Sequence, residues 1–120
     1  MEASELRIGN WVIDADDNNR VIQIEDGDDI DFAKDYTSIP LTEEWLVKFG
    51  FQKLAGYDYP IKAIGTNWVA ELSIANKCIL LHSPNAMRNI PLVFNMEYVH
   101  SLQNWWLANA GEELQIKDHD

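Results

Sequence analysis

Trp68-Val69-Ala70-Glu71-Leu72-Ser73-Ile74-Ala75-Asn76-Lys77-Cys78-Ile79-Leu80-Leu81-His82 is the stretch that decides the fold class. Apolar residues at 68, 70, 72 and 74 alternate with polar ones at 71 and 73, the period of a strand that buries one face. Lys77 to His82 is nearly all apolar and reads as a central strand, with Ala75-Asn76 a short enough link to make the pair a hairpin. Cys78, the single cysteine, fits there as a small buried hydrophobe and leaves no room for an intrachain disulfide or a multi-cysteine zinc site.

On either side the pattern changes period. Upstream, Ile39-Pro40-Leu41-Thr42-Glu43-Glu44-Trp45-Leu46-Val47-Lys48-Phe49-Gly50 carries the punctuation of a short helix. Thr42 is the N-cap, Glu43 and Glu44 complement the positive end of the dipole, Leu41 and Leu46 can form a hydrophobic staple, and Gly50 supplies a left-handed stop. Downstream, Ile90-Pro91-Leu92-Val93-Phe94 reads as a strand whose proline marks an edge or a bulge. Asn95 then caps a longer helix from about Met96 to Ala110, stopped by Gly111. Its apolar stripe is Tyr98, Val99, Leu102, Trp105, Trp106 and Ala110, with His100 and Asn104 pointing away. Leu114-Gln115-Ile116 is placed as a last short strand.

At the front, Leu6 to Ile13 and Val21 to Ile24 are β-branched and aromatic, and Asp14 to Asn19 between them is rich in residues that tolerate tight turns. A hairpin follows, similar to the opening of SH3-like barrels. The expectation is a single α+β domain over residues 1–120, with an antiparallel sheet of about five strands packed by one short and one longer helix.

Thirteen of the 120 residues are aromatic, enough to build a core at this length without metal or disulfides. The net charge of −11 is unevenly placed. Residues 1–44 hold thirteen acids against Arg7, Arg20 and Lys34, a net −10, whereas residues 45–120 carry seven acids and six bases. An acidic front of this kind disfavours direct contact with a nucleic-acid backbone. The N-terminus has no basic region followed by an apolar run, and no stretch approaches the ~20 apolar residues of a membrane span, so a cytoplasmic location is expected.

Three blocks, Leu6-Arg7-Ile8-Gly9-Asn10-Trp11-Val12 (LRIGNWV), residues 39–51 (IPLTEEWLVKFGF) and residues 98–114 (YVHSLQNWWLANAGEEL), stand in an order and at a spacing similar to a family of small proteins from bacterial genomes and their phages. The resemblance spans most of the chain. It implies an accessory protein carried on a mobile element and assigns no activity, active-site motif or cofactor. Residues 14–35 and 55–90 lie outside the three blocks.

Four constellations carry chemistry. Asp14, Asp16, Asn18 and Glu25 match the oxygen-ligand positions of a calcium loop, although Asn19 stands where glycine is required and the flanks have strand rather than helix composition. A solvated hairpin turn is the reading those flanks favour. Asp26, Asp28, Asp29 and Asp31 form a charge run, either a solvated loop or a docking surface for a basic protein partner. Trp11 and Trp105 are rim aromatics suited to anchoring an interface, while Trp45, Trp68 and Trp106 read as core. Catalysis has thin support. His82, His100 and His119 lack metal-ligand spacing, and nothing matches a nucleophile elbow, a P-loop or a dinucleotide fingerprint. A pocket around Glu71 and His82 is the one enzymatic arrangement the pattern offers, as a small hydrolytic or metal-dependent enzyme. The leading expectation is a non-enzymatic binding module, without cofactor, whose acidic third docks a basic protein.

Overall fold

The computed structural model describes residues 5–65, 68–82 and 90–116, and of residues 90–94 the backbone alone. The fold is α+β. Among the described residues the strands form two antiparallel sheets, of three and four strands, rather than the single sheet of about five expected from the alternation. Alternation identifies strands, but pairing is set by which edges the intervening chain brings together. The chain divides into two compact units, one comprising residues up to Pro40 with Tyr98–Glu113, the other Leu41–Glu97 with the chain from Leu114.

The first unit is built on β1 (Trp11–Asp14), β2 (Arg20–Gln23) and β3 (Tyr36–Thr37), in the order β2-β1-β3. Strand β1 starts at Trp11 and not at Leu6 because the chain first turns: Gly9 is left-handed at φ 100°, and Asn10 N–H bonds back to Arg7 O at 3.1 Å. The β1–β2 connection turns through Asn18 and Asn19, both left-handed at φ 53° and 58°, a conformation asparagine tolerates. Between β2 and β3 lie a single helical turn, α1 (Gly27–Ile30), and a 3-10 turn, Ala33–Asp35. Leu6, Val12, Ile24, Ala33 and Tyr36 form the buried cluster, with Ile22 and Ile30 packed against it.

The second unit contains helix α2 (Glu43–Lys48) and strands β4 (Ile61–Ile64), β5 (Trp68–Ser73), β6 (Cys78–His82) and β7 (Ile90–Phe94), in the order β4-β5-β6-β7. Helix α2 forms as its punctuation predicts. Thr42 Oγ1 accepts from Trp45 N–H at 3.4 Å, and Gly50 at φ 91° lets Phe51 N–H reach Leu46 O (2.9 Å) and Gly50 N–H reach Val47 O (3.0 Å). Those two bonds are a Schellman stop, sealed by the buried pair Leu46 and Phe51. The β5–β6 hairpin is present, closed by Lys77 N–H on Ile74 O with Lys77 left-handed at φ 54°. The β6–β7 register slips between Ile79 and Leu80, placing Leu80 opposite Pro91, the bulge that the proline implied.

Helix α3 (Val99–Ala110) belongs to the first unit and begins three residues later than expected. Asn95 is left-handed at φ 66° and closes the preceding strand, so it cannot cap; Tyr98 takes the cap position without a side-chain bond, and Gly111 ends the helix at φ 76°. Thus α2 and α3, expected to pack on one sheet, go to different units. Leu114–Ile116 is not a strand. No helix among the described residues is long and apolar enough to cross a membrane.

Candidate functional site

The acidic segment has a specific local architecture. Asp26 is the N-cap of α1, its Oδ1 accepting from Asp29 N–H at 3.1 Å, while Asp29 Oδ2 accepts from Glu25 N–H at 2.9 Å. Two of the four carboxylates singled out in the sequence are therefore engaged with the backbone of their own turn, which a helix start favours. Asp28 and Asp31 are exposed and make no such side-chain bond. One residue further on, Phe32 is 57% exposed, a large apolar side chain set among carboxylates. Sequence reading passed over it because an isolated aromatic in an acidic loop has no period to follow.

Charge here is scarcely neutralised. Residues 14–35 hold nine acids and two bases, and the ion pair among these described residues is Arg20–Asp17, an exposed contact at 3.7 Å. Such pairs contribute little. Tyr36 registers the resulting field. Burial pushes its phenol pKa above 10.0, and Asp29, Asp14, Asp35 and Asp26, in that order, push it further. Its hydroxyl donates to Asp29 O at 2.7 Å.

Trp11 and Trp105 are half-buried; Trp105 lies edge-on to the buried Trp106, with ring centroids 6.3 Å apart. Trp68 is a correction: it is 45% exposed at the start of β5 and not core. The calcium-loop residues separate. Asp14, Asp16 and Asn18 are at the hairpin turn, where Asp14 pairs with Arg20, but Glu25 lies five residues beyond Arg20, past the far end of β2. Among the described residues no three His, Cys, Asp or Glu side chains are grouped to hold a metal ion.

What the sequence reading missed entirely is a polar network that ties α3 to the front of the chain within the first unit. Gln103, fully buried, donates from Nε2 to Gly9 O at 2.8 Å and accepts at Oε1 from Trp11 N–H at 2.9 Å. Asn10, also fully buried, accepts from Arg7 N–H and donates to Asn104 Oδ1, and Asn104 donates to Glu5 O. Arg7 grips Glu113 through both terminal nitrogens, at 2.6 and 3.0 Å, and donates to Gln103 O. Its Nε is buried without a hydrogen-bond partner. Apart from Glu5, these residues come from the first and third sequence blocks, so those blocks hold each other. The available signal was Gln103 at the centre of the helix's apolar stripe, four residues after Val99 and three before Trp106. His100, expected to point away, is buried as well, stacked on Tyr98 at 5.8 Å.

In the second unit the Glu71–His82 pair does form, diagonally across β5 and β6. Glu71 is 3% exposed; its Oε1 lies 2.7 Å from His82 Nε2, and its Oε2 accepts from Tyr59 N–H at 2.9 Å. Tyr57 packs edge-on against the imidazole at 5.5 Å. Glu71 and Ser73, on the face of β5 expected to meet solvent, are thus buried. Elsewhere in this unit a cavity of about 580 Å³ is lined chiefly by Leu41, Leu72, Ile74 and Pro60, with the Lys53–Glu43 ion pair (2.9 Å) at its rim.

Comparison of the chain with family models, with curated proteins and with solved structures gave no match.

Proposed function

We propose that this chain is a cytoplasmic, non-enzymatic binding module, an accessory protein of the kind carried by phages and mobile elements, whose acidic front docks a basic protein surface. The observation that carries the reading is Phe32: a half-exposed phenyl ring next to Asp31 and four residues from exposed Asp28, in a segment whose nine acids outnumber the bases Arg20 and Lys34. Apolar anchors encircled by charge are how interfaces combine contact energy with orientation. A basic partner would relieve the mutual repulsion of the carboxylates.

The test is a pulldown from host lysate. Wild-type protein retains a basic protein, and Asp28→Lys with Asp31→Lys, or Phe32→Ser alone, loses it; Asp26 and Asp29 stay untouched because they hold α1. Recovery unchanged in both variants, or indifferent to salt between about 0.05 and 0.5 M, refutes the reading.

A second reading, a small hydrolytic enzyme, is favoured by one arrangement, the buried Glu71 carboxylate holding His82 by one nitrogen as an orienting carboxylate holds a general base. Tyr59 N–H on the other carboxylate oxygen fits a purely structural clamp equally well.

A further inference from the structure

Strand β2 is one of the two outer strands of the three-stranded sheet, twice as long as the other, β3, and its hydrogen-bonding phase can be deduced from three bonds. Ala15 N–H bonds to Asp35 O (3.0 Å) on the β3 side of β1, and Trp11 N–H likewise turns away from β2, to Gln103 Oε1. Ile24 N–H bonds to Asn10 O (2.8 Å), on the β2 side. Alternation along β1 therefore aims Asn10, Val12 and Asp14 at β2. Their partners in register include Ile22 and Arg20. The N–H and C=O groups of the intervening residues, Val21 and Gln23, consequently point outward, and no hydrogen bond from a described residue meets them. Val21 is 46% exposed and Gln23 is exposed, so nothing described covers this edge.

We infer that the β2 edge is the seat of the partner, and that the partner adds a strand there as a basic, extended peptide. The inference rests on the docking reading above and specifies the form the partner takes. An open edge with outward donors and acceptors is a template for another strand. Charge decides which strand. Asp14, Asp16 and Asp17 stand at the turn end of β2, and Glu25, Asp26 and Asp28 at the other. The one base on the strand, Arg20, leans on Asp17. A second copy of this chain would bring the same carboxylates against themselves, which like-charge repulsion opposes. A segment alternating lysine or arginine with β-branched residues meets acids at both ends and presents backbone to Val21 and Gln23.

The probe is a fluorescein-labelled peptide, Lys-Val-Lys-Val-Lys-Val-Lys, titrated with the whole chain and read by anisotropy. Its counterpart carries N-methyl groups on alternate backbone amides, so it has the same charge but cannot complete a ladder. Val21→Pro removes one outward N–H without touching a β1–β2 bond, a position where an edge strand accepts proline. The inference expects wild type to bind the unmodified peptide, with affinity falling about tenfold for Val21→Pro and for the methylated peptide, the scale of one or two lost hydrogen bonds. Val21→Ala should bind as wild type does. Should Val21→Pro lose its circular dichroism, the methylated peptide on wild-type protein decides alone. Equal binding of both peptides overturns strand addition; if Asp28→Lys with Asp31→Lys still weakens both, the docking reading survives. Binding insensitive to those charges and to salt overturns the docking reading with it. No binding of either peptide at millimolar concentration overturns the inference.

Discussion

Replacing Gln103 by Met keeps the length and volume of the side chain and deletes its two hydrogen bonds, so the cost measures the bonds and not a cavity. Trp11 N–H loses the acceptor at 2.9 Å and is left in a site that the fully buried Gln103 had closed to water. A buried backbone donor deprived of its partner costs about 1–3 kcal/mol. Gly9 O is less affected, because Gln23 Nε2 also donates to it, at 3.1 Å. The expected loss is about 2 kcal/mol, a fall of roughly 1 M in the urea midpoint for a small protein. Urea unfolding followed by tryptophan fluorescence and by far-UV circular dichroism reads it, and the two probes must coincide before a single free energy is assigned. The shared carbonyl adds a sharper check. Gln23 is exposed, so Gln23→Ala alone costs under about 0.5 kcal/mol, but together with Gln103→Met it strips Gly9 O of both donors and adds about 1 kcal/mol beyond the sum. Strict additivity, or a Gln103→Met loss below about 0.5 kcal/mol, refutes the network as a source of stability.

Glu71→Ala leaves Tyr59 N–H and His82 without their acceptor and should cost about 2–4 kcal/mol, whereas Glu71→Gln, which keeps an oxygen for Tyr59, should cost less; the same preparations, assayed with p-nitrophenyl acetate, separate the clamp from the enzyme, since turnover abolished by His82→Ala would establish catalysis and equal background rates would leave a clamp. Burial pulls the His100 pKa below 6.5, with Glu5 opposing, so the folded state resists a proton that the unfolded chain takes up near pH 6.5. Stability is therefore intact above that pH and lost as pH falls below it, by at most about 1.4 kcal/mol per pH unit from this residue. His100→Phe preserves the stack on Tyr98 and should flatten the decline between pH 7 and 5; parallel urea-midpoint profiles for the two proteins would contradict this.

Local order was legible wherever its causes lie within a few residues. Thr42 and Gly50 bound α2 through bonds spanning three to five residues, and Gly111 stops α3 the same way. Asn18-Asn19 turns the first hairpin for an equally local reason. Strands β3 and β4 were missed because Tyr36-Thr37 is two residues long and Ile61-Lys62-Ala63-Ile64 has polar and small residues inside, so each is a strand only by virtue of the partner it meets. At the candidate site, the charge run was plain in the sequence, yet composition could not separate Asp26 and Asp29, spent on capping α1, from Asp28 and Asp31, which face solvent.

The sequence by itself determined the α+β class, the short capped helix, the two hairpins and the concentration of negative charge in the first third. Only the tertiary structure decided which polar residues are buried. Glu71 and Ser73 sit at positions that a two-residue period assigns to solvent, Asn10 and His100 carry no mark of burial in their own neighbourhoods, and the apolar stripe around Gln103 marks its position without naming its partners. Caps, turns and periods are short-range and written in adjacent residues. Burial of a polar group depends instead on a partner that arrives from far along the chain, as Gln103 does for Gly9 and Trp11, and on how completely that partner excludes water.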